Sequence, residues 1–394
     1  MIALARKTLV HEWRRFVPAV FAVGFSGVLL AVQAGLVLGI FGSAAVYVTA
    51  SSADLWIGYP GTQSVNFGRE IGSDVEMRLR MDPAVADVEP YLWVEGDWHN
   101  TRRTGGGVPV FVSGIRTGAN AMMFSHLLPK YTRQLLREPG AVMVDRSDLE
   151  QLGTKVGENA WLNGQRVHIV AILSGLRALG GVNVLASLDT AKRLQTGEPT
   201  EGPTYFVAKL HDPVQAGAVQ ARLSSSPLDA AASNISGQDA GLSGPFGPFS
   251  VWTANEFSNR SQLYWLFDTG AGIAVLFMAI IVCLVGAVVT SQSLMAVVAN
   301  SAREYAMLNA LGASLLSLSR VVLEQACWIG GLGLIVGGLT SSALLRLASW
   351  YDVPVDMNLP VAAGCASLVV GLTLASGLFA MRGLARAEPA MLLR

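Results

Sequence analysis

The segment Asn300–Gln325, NSAREYAMLNALGASLLSLSRVVLEQ, lies between two long apolar stretches, and its reading sets the organisation of the whole chain. Tyr305, Leu308, Gly312 and Leu315 recur at helical spacing, with Arg303 and Glu304 at the start. Gly312 is placed to end this short helix, because glycine takes the left-handed cap conformation without steric cost. Ser314 then caps a following helix that passes through Arg320 and Val321. Composition alone favours an ordinary cytosolic turn between two membrane helices. The alternative is a coupling helix, a rigid knob that seats in a groove of a separate motor protein.

Composition agrees with a membrane setting. The chain is 52% hydrophobic with 42 glycines and only 14% charged residues. Its 28 Lys and Arg cancel its 28 Asp and Glu, so nothing electrostatic points to nucleic acid as a partner. Cys283, Cys327 and Cys365 all fall in apolar segments and read as small embedded residues, with neither a disulfide nor a metal site implied.

Outward from the turn, the chain divides in order. Residues 1–15 carry Arg6, Lys7, Arg14 and Arg15 among apolar positions, an interfacial cytoplasmic helix with Trp13 at the boundary. The run 16–50 is far longer than a signal-peptide core and reads as a retained first span, with Pro18 in its first turn. A helix of that length reaches roughly 50 Å against a hydrocarbon core of roughly 30 Å, so its end is expected to project as a stalk over residues 45–50. Residues 51–255 change character to an α+β domain large enough for its own core. Strands are expected at Asp54–Ile57, Val85–Val88, Tyr91–Val94, Val108–Ile115, Ala141–Val144, Asn159–Leu162 and Arg166–Leu173, with Asn163-Gly164 as a hairpin turn. Helical patterns intervene at Val65–Arg80, Arg146–Leu152, Leu188–Leu194 and Pro213–Leu223. Gly, Pro and Ser concentrate at Thr104–Val108 and Gly237–Ser250, the latter leading back to the membrane.

Residues 256–299 read as one long helix, a second stalk (258–266) and span together. The turn 300–319, a third span 320–349, an external connector 350–358, a fourth span 359–385 and a cytoplasmic tail 386–394 complete the chain. Arg and Lys cluster before the first span, in the turn and at Arg382, Arg386 and Arg394, whereas Asp352 and Asp356 sit in the opposite connector. The positive-inside rule then puts both termini in the cytoplasm and the large domain outside. The fold class is therefore an α-helical membrane protein with four transmembrane helices and an extracytoplasmic α+β domain inserted between helices 1 and 2. Gly35 and Gly39, and Gly333 and Gly337, form G-x-x-x-G pairs that permit close helix approach, either within one four-helix unit or between subunits.

Arg303-Glu304, Leu308, Ala310-Leu311-Gly312-Ala313 and Glu324-Gln325-Ala326 resemble the R-E-x-x-x-L-x-A-L-G-A…E-x-A signature of MacB/FtsX-type ABC transporter permeases. Tyr305 departs from the Ile or Val usual after the Arg-Glu pair. The order Val144-Asp-Arg…Leu152-Gly…Val156-Gly…Leu162-Asn-Gly…Val167-His-Ile-Val is similar to the outer domain of that family, most of all its DevC-like branch, and Arg386 to Arg394 resembles its tail. The resemblance implies that Arg303, Glu304, Leu308, Leu311 and Gly312 contact a separate ATPase subunit, which binds the ATP and Mg. It implies a homodimer, a bacterial inner-membrane location surrounded by lipid, and in many members a periplasmic adaptor protein and an outer-membrane channel. Export or extraction of an amphiphilic molecule is the function implied. The alternative is an FtsX-like signalling subunit that activates an external enzyme without transport.

No G-x-x-x-x-G-K-[ST] loop is present, so the chain has no Walker A site of its own. His11-Glu12 begins like a zincin motif, but Arg15 holds the position of the second His. His99, His126, His168 and His211 show no ligand spacing, and no G-x-S-x-G elbow occurs. Neither a catalytic residue nor a cofactor or metal ligand is expected. Glu324 is the main ionisable residue within a span and is expected to pair with Arg320 one turn away.

The topology has a direct test. Cysteines substituted at Gly105 and Asn163 should react with a membrane-impermeant maleimide from outside, and Arg303→Cys should not. Outside labelling of Arg303→Cys contradicts the arrangement.

Overall fold

The computed structural model describes residues 13–100, 106–196, 202–224, 248–301, 307, 315–351 and 353–386. It forms two compact units, one comprising the segments 1–40 and 270–394, the other 41–269.

The first unit holds four helices long and apolar enough to cross a membrane by length and composition. They are α1 (Trp13–Ser43), α9 (Gly270–Asn300), α10 (Leu315–Trp350) and α11 (Leu359–Arg386), numbered with the outer-domain elements in chain order. Helices are the only open-ended solution in hydrocarbon, since each satisfies its own backbone. Pro18 lies inside α1 rather than in its first turn, because the helix already runs from Trp13. Phe16, Ala19 and Val23 of α1 are buried against Leu294 and Val297 of α9, Ile329 of α10 and Val369 of α11. Ser26 Oγ reaches the Gly286 carbonyl at 3.1 Å and accepts from Thr290 Oγ1 at 3.1 Å, tying α1 to α9.

The second unit is the α+β domain. After α1 the chain turns at Ala44–Ala45 and forms α2 (Val46–Thr49), so helical geometry extends past Ser43 with one break. The strands are β1 (Leu55–Gly58), β2 (Val85–Asn100), β3 (Val108–Ile115), β4 (Ala141–Asp145), β5 (Asn159–Leu162), β6 (Gln165–Leu173), β7 (Val182–Ser187), β8 (Tyr205–Leu210) and β9 (Ser250–Thr253). The helices between them are α3 (Val75–Arg80), α4 (Lys130–Leu135), α5 (Leu149–Leu152), α6 (Leu188–Leu194), α7 (Ala216–Ser224) and α8 (Ala254–Leu263).

β2 organises the domain because it belongs to two sheets. Val85–Tyr91 pairs with β8, and Leu92–Trp98 pairs with β3. The two strands expected at Val85–Val88 and Tyr91–Val94 are thus one. Pro90, the apparent break between them, pairs on the β8 side and precedes the first β3 partner at Leu92, so its missing N–H removes no β3 hydrogen bond. The pairing β2-β3-β7-β4-β6-β5 returns to β2 and closes a six-stranded ring. Val94, Val110, Val142, Ala160, Ile169 and Val184 supply one side chain from each strand of the ring to a single buried cluster, which therefore fills its interior. Leu152 of α5 and Leu194 of α6 join the same cluster.

The remaining sheet, β2-β8-β1-β9, is covered on both faces. Val75 and Leu79 of α3 and Val219 and Leu223 of α7 pack on Leu55, Ile57, Phe206 and Ala208. On the other face Trp56 meets Tyr91, Tyr205 and Phe257 edge-on or tilted, with ring centroids 5.5–5.9 Å apart, and Tyr47 and Val48 of α2 lie in the same cluster. Stacking at such separations adds about 0.5–1.5 kcal/mol per pair beyond burial. The helix read over 256–299 is two helices. After α8 the chain makes a π-helical turn at Tyr264–Asp268, and Thr269 is extended before α9 begins at Gly270.

The local signals read from the sequence meet their structures unevenly. Asn163 (φ 49°) and Gly164 (φ 76°) form the expected left-handed hairpin turn between β5 and β6. Of Val65–Arg80 only Val65–Phe67 and α3 are helical. β7, β8, β9 and α4 had no counterpart in the sequence reading; β7 is buried at every position and β8 at all but Lys209, which erases the alternation that betrays a strand.

Two buried carboxylates do structural work in this domain. Glu89 accepts from the Met122 amide at 2.5 Å and the Arg116 amide at 3.4 Å, while burial pushes its carboxyl above the usual range. Asp145 caps the turn after β4 through the Ser147 amide at 2.9 Å and also accepts from the Leu176 amide at 2.7 Å. Neighbouring Asp148 is 4% exposed and has one oxygen without a partner. Burial first, and Asp145 second, push it up to about 6. A carboxyl raised in the folded state favours the folded protein only while protonated, so its contribution falls as pH rises from about 4 through about 6. Asp148→Asn should therefore stabilise the full-length protein by about 1–3 kcal/mol at pH 7.5, with the gain vanishing towards pH 4. Thermal unfolding of both proteins across that range checks it; an unchanged difference at all pH values refutes the assignment.

Candidate functional site: the cytoplasmic turn and the helix seam behind it

Arg303, Glu304, Leu308, Leu311 and Gly312, the residues expected to contact a motor subunit, lie outside the described residues. Their frame is described on both sides. α9 ends at Asn300, and the Ser301 amide closes on the Val297 and Val298 carbonyls at 3.2 and 3.1 Å. α10 starts at Leu315, and Met307 between them is helical and half-exposed. Arg320 is exposed and Glu324 partly buried, and among the described residues no ion pair joins them. The pairing expected from their i, i+4 spacing is not formed. Gln325 beside them is buried at 5% exposure.

Behind this turn the four helices meet through small residues. The sequence singled out Gly35, Gly39, Gly333 and Gly337, and the structure assigns them two different tasks. Gly333 and Gly337 of α10 face α1, where a Cβ on Gly333 would lie 2.7 Å from the Val23 side chain and one on Gly337 would lie 2.8 Å from the Gly24 carbonyl. Both distances are too short for any real side chain, so this crossing exists only because glycine occupies it. The partner on α1 is Gly24, which lies outside the G-x-x-x-G pair at residues 35 and 39. Gly35 and Gly39 instead receive the external connector. The Gly35 carbonyl accepts from the Asp356 amide at 3.0 Å, and the Pro354 backbone lies where a Gly39 Cβ would be. A second small-residue contact joins α10 to α11, with Gly330 against Thr373 and Gly377 against Ala326. Sequence reasoning missed Gly24, Gly330 and Gly377 because spacing marks a small-residue face without saying which helix it meets.

Candidate chemical groups elsewhere are dispersed. His99 lies 3.1 Å from Asp97 and His168 lies 3.3 Å from Glu138, both near the surface. Among the described residues no three His, Cys, Asp or Glu side chains group as a metal site, and the cysteines are free. What this arrangement provides is close backbone contact between α1 and α10.

Known proteins locate the chain. The model for the MacB-like periplasmic core domain matches residues 21–226, and that for the FtsX-like permease C-terminal region matches 249–389. Among solved structures, the periplasmic region of MacB from Actinobacillus actinomycetemcomitans is similar at 11% identity over 54% of this chain and 94% of that one, with a TM-score of 0.34. The extracellular domain of the ABC-type transporter YknZ from Gram-positive bacteria is similar at 12% identity over 51% of this chain and 100% of that one, TM-score 0.32. A permease-protein domain from Porphyromonas gingivalis follows at 9% identity, 57% and 95% coverage and a TM-score of 0.33. No curated protein matches the chain. A periplasmic-core model that covers more than half of the sequence, joined to a permease model over the last three helices, places the chain in the MacB/FtsX-type permease family of ABC transporters.

Proposed function

We propose that the chain is the membrane subunit of a transporter that couples ATP hydrolysis on a separate ATPase to export or extraction of an amphiphilic substrate. ATP and Mg bind the ATPase, and Arg303, Glu304, Leu308, Leu311 and Gly312 form the coupling helix that seats on it. The observation that carries this reading is the way the spans end. α1 passes through a two-residue turn into α2, whose Tyr47 and Val48 are buried in the outer-domain core. α9 is preceded by one extended residue, a π-turn and α8, whose Phe257 is buried in that same core, and α2 packs on α8. Both connections are short in the chain, Ala44–Ala45 on one side and Tyr264–Thr269 on the other, and in the proposed mechanism they are the path by which displacement of α1 or α9 reaches the domain core.

Two copies acting together complete the proposal. An 18-residue window of the Gly270–Asn300 span has a mean hydropathy of 3.0, yet only 11% of that window is buried among the described residues, which leaves this helix free to meet lipid or a second copy. The working site is the inner membrane of a bacterium, in the DevC-like manner, with a periplasmic adaptor and an outer-membrane channel as further partners.

The test is at the turn. Burying Leu308 and Leu311 at an interface contributes on the order of 1.5–3 kcal/mol each. Leu308→Asp/Leu311→Asp should preserve membrane insertion and dimerisation, weaken association with the ATPase by about a hundredfold or more, and abolish substrate-linked ATP hydrolysis. Undiminished complex and full activity would refute the coupling helix. Full coupling together with activation of an external hydrolase and no substrate movement would instead establish the signalling reading.

A further inference from the structure

Gly337 does more than close the seam with Gly24. It also lines a cleft of ≈ 290 Å³ between α1, α10 and α11, together with Gly27, Ala31, Gly338, Leu345 and Cys365. The lining is almost entirely apolar or small, and its two serines spend their hydroxyls on the helix backbone, Ser341 on Gly338 and Ser342 on Leu339. A cleft of this kind does not hold water, which needs two or more polar partners. A dry cavity of about 150 Å³ already takes a benzene-sized guest, so the space here suits a longer hydrocarbon. Gly338 faces open space, with nothing within 4 Å of a built Cβ.

One turn beyond Ser342 on α10 stands Arg346, four residues from the end of the helix at Trp350. Among the described residues no carboxylate pairs with it. A cation within a span is expensive unless it reaches an interface and an anion. An apolar cleft and, a turn away, a cation with no carboxylate partner among the described residues match the two ends of one ligand class.

We propose that this cleft binds an acyl chain of an anionic membrane phospholipid whose phosphate is held by Arg346. The lipid is a resident of the membrane, and its site is independent of the transport reading. Because Gly337 belongs both to the cleft wall and to the α1–α10 crossing, the bound chain buttresses that crossing.

Cys365 provides the probe. In a Cys283→Ser/Cys327→Ser protein, Cys365 is the remaining thiol in the cleft, and its alkylation by a maleimide is followed in detergent. Phosphatidylglycerol at about ten times its dissociation constant should slow the reaction roughly tenfold. Phosphatidylcholine should protect less, and Arg346→Ala should reduce phosphatidylglycerol to that lower level. Glycerol 3-phosphate, which has the headgroup anion and no chain, should give no protection. Protection by glycerol 3-phosphate alone, equal protection by both lipids, or none by either overturns the proposal. Gly338→Leu fills the cleft and should lose the phosphatidylglycerol retained in native mass spectrometry. Gly371→Leu, which also enters open space but lies outside the cleft, should keep it. Retention by Gly338→Leu overturns the site, and the Cys365 measurement stands by itself if that variant does not fold.

Discussion

The membrane half of this protein depends on one contact, the backbone-to-backbone approach of α1 and α10 at Gly24, Gly333 and Gly337. In hydrocarbon no hydrophobic effect drives helices together, because lipid tails are as apolar as leucine. Association then rests on dispersion between surfaces that fit, on small residues that let backbones touch, and on the few hydrogen bonds between helices. The chain supplies all three. Glycines line the α1–α10 crossing, Ser26 and Thr290 bond α1 to α9, and Phe16, Val23, Leu294 and Ile329 fill the space between. A side chain at Gly333 or Gly337 would push the first helix of the chain away from the third. Under the proposed function, movement imposed at the turn between α9 and α10 would reach α1 through this crossing.

The outer domain solves the opposite problem. It has a strong hydrophobic driving force and many strand edges to protect. The ring β2-β3-β7-β4-β6-β5 removes edges by closing on itself, and β2 carries the chain into that ring from the sheet beside it. That sheet buries Trp56, Tyr91, Tyr205 and Phe257 against the two short helices attached to the spans. A large aromatic core is stiff, since its members have few rotamers and interlock.

How much of this was legible depends on what each residue advertises. Four long apolar runs declare themselves by composition, and Asn163-Gly164 declares its turn because both residues tolerate positive φ. Leu188–Leu194 shows its boundaries through the Ser187 cap, whose hydroxyl accepts from the Thr190 amide. Val182–Ser187 stayed hidden because a strand buried on both faces has no polar side to alternate with. The break at Thr269 is marked only by Asp268, Thr269 and Gly270, residue types of a helix boundary, and the apolar Tyr264–Phe267 just before them mask it by continuing the hydrophobic run. For the candidate site, spacing singles out Gly333 and Gly337 on α10, which lie against α1, but Gly24 has no G-x-x-x-G partner and pairing lies between helices, where one sequence is silent. The turn residues Arg303, Glu304, Leu308, Leu311 and Gly312 rest on motif alone, since they lie outside the described residues.

Under the proposed function, the two short connections carry motion from the spans into the outer-domain core. Hydrogen–deuterium exchange on the full chain in complex with its ATPase, compared with and without ATP in a hydrolysis-deficient ATPase, measures this directly. The account predicts that ATP changes amide protection in residues 46–49 and 254–268, in step with changes at the turn. Altered protection at the turn with unchanged protection in both connections would contradict it.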